Sequence, residues 1–222
     1  MMNQPWILAS NSPRRKELLG LFKQPFEISP ADIDETEFVG EAPPDYVRRL
    51  ARSKAEVVAQ QYPDAVLIIA ADTTVADGSE ILGKPVNDED ARRMLVQLRD
   101  RRHQVYTAIT AVVPSKNLWA HELCSSQVPM RAYRGEEIED YIASGDPMDK
   151  AGAYAIQHRG FHPVESFSGC FASVMGMPLC HLTRAIKKIG LTPEVNIGLA
   201  CQQHLQYDCP ISQRVLAGED VG

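Results

Sequence analysis

The apolar run VLIIAA at residues 66–71 constrains the fold of this chain more than any other sequence feature. A short, continuous apolar run that contains β-branched residues is typical of a strand buried on both faces. Helical patterns precede and follow this run along the chain. With 222 residues, the chain is long enough for one α/β domain or for two small lobes that share a cleft.

The pattern around this run predicts several more elements. Ser12 and Pro13 are a typical N-cap and first helical residue, so a helix is expected directly after a short strand at residues 6–9. Hydrophobic periodicity predicts further helices at residues 44–62, 87–98, 136–144 and 178–189. A half-buried strand is predicted at residues 104–113, with an antiparallel return at residues 118–133.

Three segments show no regular pattern. Residues 29–42 are acidic and are expected to form a loop, whereas residues 152–176 are expected to form short strands and loops. Residues 191–222 differ in character from the preceding chain and have no clear period. We interpret residues 191–222 as a C-terminal appendage of uncertain order.

Charge and composition limit the possible partners. The formal net charge is −6, which argues against a broad nucleic-acid-binding surface but does not exclude an anionic substrate in a locally basic cleft. No apolar run approaches the ~18 residues that a membrane helix needs. The opening MMNQPWILAS has no basic residues before its apolar stretch, so no signal peptide is expected and a cytoplasmic location is predicted.

The segment SNSPRR at residues 10–15 is the first candidate site. A polar loop at a helix start directs backbone N–H groups outward, and Ser10, Ser12, Arg14 and Arg15 supply groups suited to phosphate oxygens. The alternative is an N-cap followed by a solvated basic turn. The helix dipole disfavours cations in a first turn, which favours an anion beside the two arginines, but the segment alone leaves both interpretations open.

Asp72 follows the buried run directly and is the second candidate. A carboxylate at the carboxyl end of a buried strand lies where α/β sheets tend to bind ligands, and it is suited to bind a metal or act as a general base. The alternative is an aspartate that only caps the strand. Position alone leaves both interpretations open.

The segment GSEILGKP at residues 78–85 imitates a phosphate-binding P-loop. The motif requires Ser or Thr after its lysine, and Pro85 supplies neither a hydroxyl nor an N–H group. We therefore reject a P-loop. Lys84 stays a candidate phosphate ligand, with a solvated surface lysine as the alternative.

Three further residues have both a functional and a structural interpretation. Glu35 completes a metal site with Asp72 or belongs to a solvated acidic loop. Lys54 lies near the apolar stripe of its predicted helix, so it points into a cleft or extends along the surface towards water. Gln157 forms hydrogen bonds with the edge of a nucleotide base or is a buried amide with backbone partners.

Taken together, the chain resembles the Maf family of nucleotide pyrophosphatases. The S-x-S-P-R-R opening and the DKAGAY segment are specific when they occur together at this spacing. The matching segments follow in order: LASNSPRRKELL (8–19), IDET (33–36), RLARSKA (49–55), AADTTV (70–75), ILGKP (81–85), MDKAGAYAIQ (148–157) and SVMGMPL (173–179).

The resemblance implies an α/β fold with a mixed sheet and flanking helices in two lobes around a central cleft, similar to inosine triphosphate pyrophosphatase. Residues 1–190 would form this Maf-type domain. The implied activity is hydrolysis of a nucleoside triphosphate between its α and β phosphates, to a nucleoside monophosphate and pyrophosphate. The resemblance also implies a divalent cation, Mg²⁺ or Mn²⁺, and a homodimer.

The same resemblance implies a role for each candidate residue. Glu35 and Asp72 would bind the metal, and Asp72 would also activate the attacking water. Lys54 and Lys84 would add positive charge. The phosphate ligands would be Ser10, Ser12, Arg14 and Arg15.

Arg14, Thr73 and Gln157 are the positions at which subgroups of the family differ. Their combination here is similar to the subgroup that prefers dTTP and UTP rather than 7-methyl-GTP. A glutamine amide is able to pair with the O4 and N3–H edge of uracil or thymine.

Two alternative functions belong to other classes of protein. The first is a nucleotide-binding regulator of cell division without significant catalysis, although such a protein would not need the predicted base. The second is a nucleic-acid-binding module, for which the chain lacks a basic, aromatic-lined strip. An enzyme acting on a nucleoside triphosphate, without nucleic-acid or membrane partners, is therefore the main prediction.

Overall fold

The computed structural model describes residues 5–222. The signal-peptide expectation depends partly on residues 1–4, which lie outside the described residues. The strands are β1 (Trp6–Leu8), β2 (Phe26–Ile28), β3 (Ile68–Asp77), β4 (Glu80–Leu82), β5 (Arg102–Val113) and β6 (Leu118–Pro129). The helices are α1 (Pro13–Gly20), α2 (Pro43–Gln61), α3 (Asp88–Leu98), α4 (Gly135–Ala143), α5 (Phe171–Val174), α6 (Leu179–Lys188), α7 (Ile197–Leu205) and α8 (Ser212–Leu216).

The strands form one mixed sheet in the order β2-β1-β3-β5-β6, with β4 paired to the end of β3. β1 is parallel to both β2 and β3. β3, β5 and β6 are antiparallel neighbours, and β4 is antiparallel to β3. This topology confirms the predicted α/β fold with a mixed sheet and flanking helices.

Helices cover both faces of the central strands. On one face, Ala55 and Val58 of α2 pack against Ile68, Ala70 and Val112. On the other face, α1, α3, α4 and α6 contribute to a larger core that includes Leu8 and Ile69. β3 is therefore buried on both sides, as its continuous apolar sequence predicts.

The predicted start of the first helix is confirmed, and a side chain also caps α3. Ser12 caps α1 by accepting a hydrogen bond from the Arg15 backbone N–H, and Pro13 is the first helical residue. Asn87 caps α3 by accepting from the Asp90 backbone N–H. Within residues 5–222, no helix combines the length and the apolar character needed to cross a membrane.

Two strand predictions were wrong in detail. β3 continues beyond the apolar run to Asp77, so Asp72 lies within the strand and not at its end. β5 alternates only in its first residues, and from Thr107 to Val113 it is buried on both faces. Because α2 packs on the face that was expected to meet water, alternation was a poor guide to this strand.

The irregular segments also contain more helix than expected. Residues 152–176 form turns and α5, and the expected strands are reduced to a single bridge between Met130 and Val164. Residues 191–222 form α7 and α8, and Ile197 and Val215 from these helices lie in the main core. Short β2 has no counterpart in the sequence-based prediction.

Candidate functional site

A cavity of about 690 Å³ opens beyond the carboxyl end of β1. It is bordered by the start of α1, the inner face of α2, the middle of β3 and the segment around residue 150. All of the predicted site residues line this cavity: Ser10, Ser12, Arg14, Arg15, Glu35, Lys54, Asp72, Thr73, Lys84 and Gln157.

The middle of β3 forms the floor of the cavity. The parallel pairing of β1 with β3 includes Leu8 opposite Ile69, and β3 then continues past the end of β1. Asp72 and Thr73 follow in this continuation, while β5 pairs with the other edge of β3. Asp72 therefore lies beyond the carboxyl end of β1, which is the expected ligand-binding edge of a parallel strand pair, although β3 itself does not end there.

Lys54 of α2 joins two carboxylates at this floor. Its ammonium nitrogen lies 2.6 Å from Asp72 Oδ1 and 2.6 Å from Glu35 Oε1. Lys54 and Asp72 are both buried, whereas the Glu35 side chain is more than half exposed. The predicted helix thus turns Lys54 into the cavity, and the exposed-lysine alternative is wrong.

Burial has the largest effect on the Asp72 carboxyl and raises its pKa. The positive charges of Lys54 and Arg15 act in the opposite direction without cancelling the effect of burial. A carboxylate with a raised pKa is a stronger proton acceptor than an ordinary aspartate. The environment of Asp72 is therefore suited to general-base chemistry.

The loop before α1 and the first turn of α1 direct hydroxyl and guanidinium groups towards the cavity. Ser10 is buried, and its Oγ accepts from the Ser12 backbone N–H at 3.2 Å and from Arg15 at 3.3 Å. Arg15 also donates through Nε to the Gly176 carbonyl at 3.0 Å and through its other terminal nitrogen to Thr73 Oγ1 at 3.2 Å. Arg15 is consequently held in one orientation by three separate parts of the chain.

The other arginine of the opening reaches across the cavity. Arg14 lies 3.5 Å from Asp149, and Asp149 accepts from Lys150 at 2.6 Å. Lys150 is buried and also contacts the backbone and side chain of Asp146. This chain of charges connects the start of α1 to the DKAGAY segment.

Lys84 and Gln157 line the same cavity, and neither side chain is held by another described residue. Lys84 is exposed and Gln157 is partly exposed. Among residues 5–222, neither side chain has a hydrogen-bond or ion-pair partner. Both groups are therefore available to a ligand.

A glycine allows the segment around residue 150 to approach the sheet. Gly152 has φ +68°, and an added Cβ would lie 2.9 Å from the side chain of Val75. Its backbone N–H donates to the Gly83 carbonyl at 3.0 Å, next to Lys84. Only glycine fits this position without displacement of β3.

Sequence reasoning missed four residues with titratable side chains that line the cavity. Tyr46 lies on α2 at a spacing of eight residues from Lys54, so helical periodicity would place both on one face. Asp149, Lys150 and Tyr154 belong to the DKAGAY segment, which was noticed only as part of the resemblance. The adjacent charged residues Asp149 and Lys150 were the sequence feature that could have indicated a functional segment here.

A larger cavity of about 900 Å³ lies between α2, β5, β6 and the end of the chain. It contains none of the predicted site residues. Its partly buried arginine, Arg184, is already paired with Glu122, which also forms an ion pair with Lys188. The smaller cavity, with its converging carboxylates and uncommitted cation, is the better candidate for chemistry.

The carboxylates of the smaller cavity suit a hard divalent cation. Glu35 and Asp72 contact the same Lys54 nitrogen, so the two carboxylates lie close together. No group of three or more His, Cys, Asp or Glu side chains in residues 5–222 is placed to hold a metal ion. Two carboxylates fit Mg²⁺ when phosphate oxygens of a substrate complete its coordination.

An α/β fold with cations and hydroxyls at a helix start, opposite paired carboxylates, is typical of proteins that bind phosphorylated ligands. The chain belongs to the Maf-like protein family, whose model matches residues 5–189. The predicted family is therefore confirmed.

Relatives with curated names extend over most of the chain. A dTTP/UTP pyrophosphatase of Myxococcus xanthus is 45% identical over 188 residues, which are 83% of this chain and 92% of the relative. A dTTP/UTP pyrophosphatase of Syntrophus aciditrophicus is 40% identical over 190 residues, covering 86% and 92% of the two chains. Among solved structures, the Ham1 protein of Staphylococcus aureus matches with a TM-score of 0.47 and 16% identity, covering 91% of this chain and 98% of that protein.

Proposed function

We propose that this chain is a nucleoside triphosphate pyrophosphatase that prefers dTTP and UTP. It cleaves the α–β phosphoanhydride bond and produces a nucleoside monophosphate and pyrophosphate. The names of the relatives support this activity. The observation that carries the proposal is the single cavity in which Lys54 joins Glu35 and Asp72 opposite the SNSPRR loop.

In the proposed reaction, Asp72 accepts a proton from water while the water oxygen bonds to the α-phosphorus. The bond between the α-phosphorus and the bridging oxygen breaks, and its electron pair leaves with pyrophosphate. Little covalent chemistry is required of the protein, because phosphoryl transfer depends mainly on positioning and on neutralisation of charge. The position of Asp72 on the cavity floor, beside Lys54, supports its assignment as the proton acceptor for this step.

The cations and hydroxyls of the cavity hold the phosphate chain. Ser10 and Ser12 lie at the start of α1, where the helix dipole favours an anion. Arg14 and Lys84 both line the cavity close to residues 149–152 and carry the charge that faces the leaving pyrophosphate. Glu35 and Asp72 would hold Mg²⁺ or Mn²⁺, which when bound supplies further positive charge to the phosphates.

Gln157 provides the contact that selects a pyrimidine. Its amide has no partner in the described part of the chain, and it offers one acceptor and two donors. The O4 acceptor and N3–H donor of uracil and thymine match these groups. We therefore assign base recognition to Gln157 and phosphate recognition to the opposite side of the cavity.

Pyrophosphate release from a panel of triphosphates tests the activity and the substrate preference together. The panel contains dTTP, UTP, the other canonical nucleotides and 7-methyl-GTP, each with Mg²⁺ and with Mn²⁺. The highest kcat/KM is expected for dTTP and UTP. A preference for 7-methyl-GTP would overturn the pyrimidine assignment, and release from none of these nucleotides would overturn the enzymatic proposal.

Substitution of the proposed base tests the mechanism. We expect Asp72→Asn to lower kcat by about 10³-fold or more while nucleotide binding persists, since the amide cannot accept the proton. Asp77→Asn is a matched control, because Asp77 lies on the same strand but pairs with Arg101 outside the cavity. Near-normal turnover in Asp72→Asn would contradict the role of this residue as a base.

Residues 1–190 are proposed as the catalytic domain, in agreement with the extent of the family match. The cytoplasmic location, the homodimer and the absence of a nucleic-acid partner stay predictions. Sedimentation of the purified chain with and without dTTP measures the oligomeric state directly.

A further inference from the structure

Hydrogen bonds connect Arg15 to the interior of the protein through two threonines. Arg15 donates to Thr73 Oγ1 at 3.2 Å, and Thr73 Oγ1 lies 3.0 Å from Thr107 Oγ1. Thr107 is fully buried on β5, and its hydroxyl lies 2.8 Å from the carbonyl oxygen of Ser173. The four residues come from α1, β3, β5 and α5, so the chain crosses the layer beneath the cavity.

The donor and the acceptor of every hydrogen bond between Arg15 and the Ser173 carbonyl are fixed by the number of available protons. The Ser173 carbonyl only accepts, so Thr107 donates its single hydroxyl proton to it. Thr107 therefore accepts from Thr73, and Thr73 in turn accepts from Arg15, which only donates. The Thr73 hydroxyl has no proton left for a ligand.

Ser10 contrasts with Thr73 although both hydroxyls bind Arg15. Ser10 Oγ accepts from the Ser12 backbone N–H and from Arg15, and no acceptor for its own proton is present within residues 5–222. Its proton is thus available to a phosphate oxygen. Of these two cavity hydroxyls, Ser10 is suited to bind substrate directly, and Thr73 is suited to hold Arg15.

We propose that Thr73 and Thr107 are positioning residues that orient the Arg15 guanidinium towards the phosphates. This inference rests on the proposed function for its kinetic consequence, but the hydrogen-bond chain itself does not. It gives Thr73, one of the positions at which subgroups of the family differ, a role that acts through Arg15 and not through direct contact with the substrate. It also assigns a role to Thr107, which does not line the cavity.

Replacing threonine by valine removes a hydroxyl from this series of hydrogen bonds and leaves the volume of the side chain almost unchanged. Thr107→Val deletes the donor to Ser173, and that carbonyl keeps its bond from the Gly176 backbone N–H at 2.8 Å. No buried acceptor is therefore left unpaired, and the variant is expected to fold. Thr107→Ser retains the hydroxyl, and Thr110→Val makes the same change at another buried threonine on β5 that lines the larger cavity instead.

We expect Thr73→Val and Thr107→Val each to lower kcat/KM for dTTP by about tenfold, because each releases one restraint on a charged hydrogen-bonding group. The loss of kcat/KM in the double variant is expected to be no greater than in the less active of the two single variants, since both substitutions break the same series of hydrogen bonds. Thr107→Ser should retain most of the activity, and Thr110→Val should match the wild-type protein. Independent losses that multiply in the double variant would overturn the proposal, as would wild-type kinetics in Thr107→Val.

A second readout separates this inference from the proposed function. The Arg15 Nε–H signal in ¹⁵N-resolved spectra is expected to exchange slowly in the wild-type protein and more rapidly in Thr107→Val, with Thr110→Val unchanged. If the wild-type protein hydrolyses no nucleotide but this difference is found, the proposed function fails and the positioning role stands. If the Arg15 signal is unchanged in Thr107→Val, the positioning role fails, whatever the activity.

Discussion

His103 is a buried imidazole whose ionisation opposes the folded state. It lies at the start of β5, and its Nε2 atom is 2.8 Å from the Tyr154 hydroxyl. Its Nδ1 atom is buried and has no partner in the described part of the chain. Burial lowers the pKa of His103 from its ordinary value of 6.5 to about 4.

The lowered pKa of His103 predicts a loss of stability in mild acid. Below pH 6.5 the unfolded chain binds a proton that the folded chain does not bind until about pH 4. The contribution of His103 is therefore present above pH 6.5 and is lost as the pH falls towards 4. Between pH 7 and pH 5 it should remove about 2 kcal/mol of the free energy of unfolding.

Urea unfolding of His103→Gln at both pH values measures this effect. The variant should lose about 2 kcal/mol less than the wild-type protein over the same interval. His162→Gln is the control, because His162 is exposed, and it should keep the wild-type pH dependence. Equal pH dependence in all three proteins would contradict a neutral buried His103.

At the residue scale, the sequence predicted the orientation of a side chain where that residue lies in a regular helix, because spacing along a helix determines the face on which a residue lies. Lys54 falls beside the apolar stripe of α2, and the structure turns it into the cavity. Lys150 has no such signal, because it lies in an irregular segment and its burial depends on Asp146 and Asp149. Its environment arises from packing between distant segments, which periodicity does not describe.

The two C-terminal helices share the core of the family-matched domain. Ile197 begins α7, Val215 lies in α8, and both are almost completely buried in the main hydrophobic cluster. α6 contacts both of these helices. The segment after residue 190 is therefore expected to unfold together with the sheet, although the family model ends at residue 189.

Truncation of one buried side chain tests this cooperativity. Ile197→Ala should lower the free energy of unfolding of the whole chain by about 3 kcal/mol, because it creates a cavity in the shared core. Leu199→Ala, on the same helix but 50% exposed, should cost well under half as much. A separate, earlier unfolding step in Ile197→Ala, with the main transition unchanged, would show that residues 191–222 form an independent unit.

At the element scale, sequence pattern was reliable where a helix or strand meets water on one side. α3 and α4 follow the predicted periodicity because each buries one face. β5 departs from the predicted alternation because α2 covers its second face, a consequence of tertiary packing. α7 and α8 are short and their buried residues are few, so their sequences carry too weak a period to be recognised.

The cavity as a whole has a strand as its floor, and its walls combine helices with irregular segments. β3 is hydrogen-bonded to β5 from Ile68 to Ala76, whereas residues 30–35 and 149–157 contribute loops and turns. Backbone groups within a paired central strand open far less often than those in loops. A bound nucleotide should consequently restrict the walls and leave the floor unchanged.

Hydrogen exchange of Asp72→Asn with and without dTTP measures this difference, since the variant should bind the nucleotide without consuming it. Exchange should slow in residues 30–42 and 149–157 when dTTP is added, while the amides of β3 exchange slowly in both conditions. A larger change in β3 than in these segments would contradict the division into a rigid floor and responsive walls.

At the scale of the molecule, the sequence pattern alone did not predict that these segments meet. Spacing placed Asp72 after a buried strand and SNSPRR before a helix, but neither observation specifies a distance between them. The family resemblance supplied their convergence. Long-range contacts between segments more than 100 residues apart, such as Arg14 with Asp149, are set by the complete topology.

The origin of the cavity walls in distant parts of the chain has a consequence for biogenesis. Lys54 and Asp72 meet through neighbouring elements, but closure of the far wall must await the synthesis and docking of residues 149–157 and α5. A nascent chain that has formed only its first strands and helices has no complete nucleotide pocket. Acquisition of nucleotide affinity during refolding would therefore be a late event that reports on the docking of these segments against the assembled sheet.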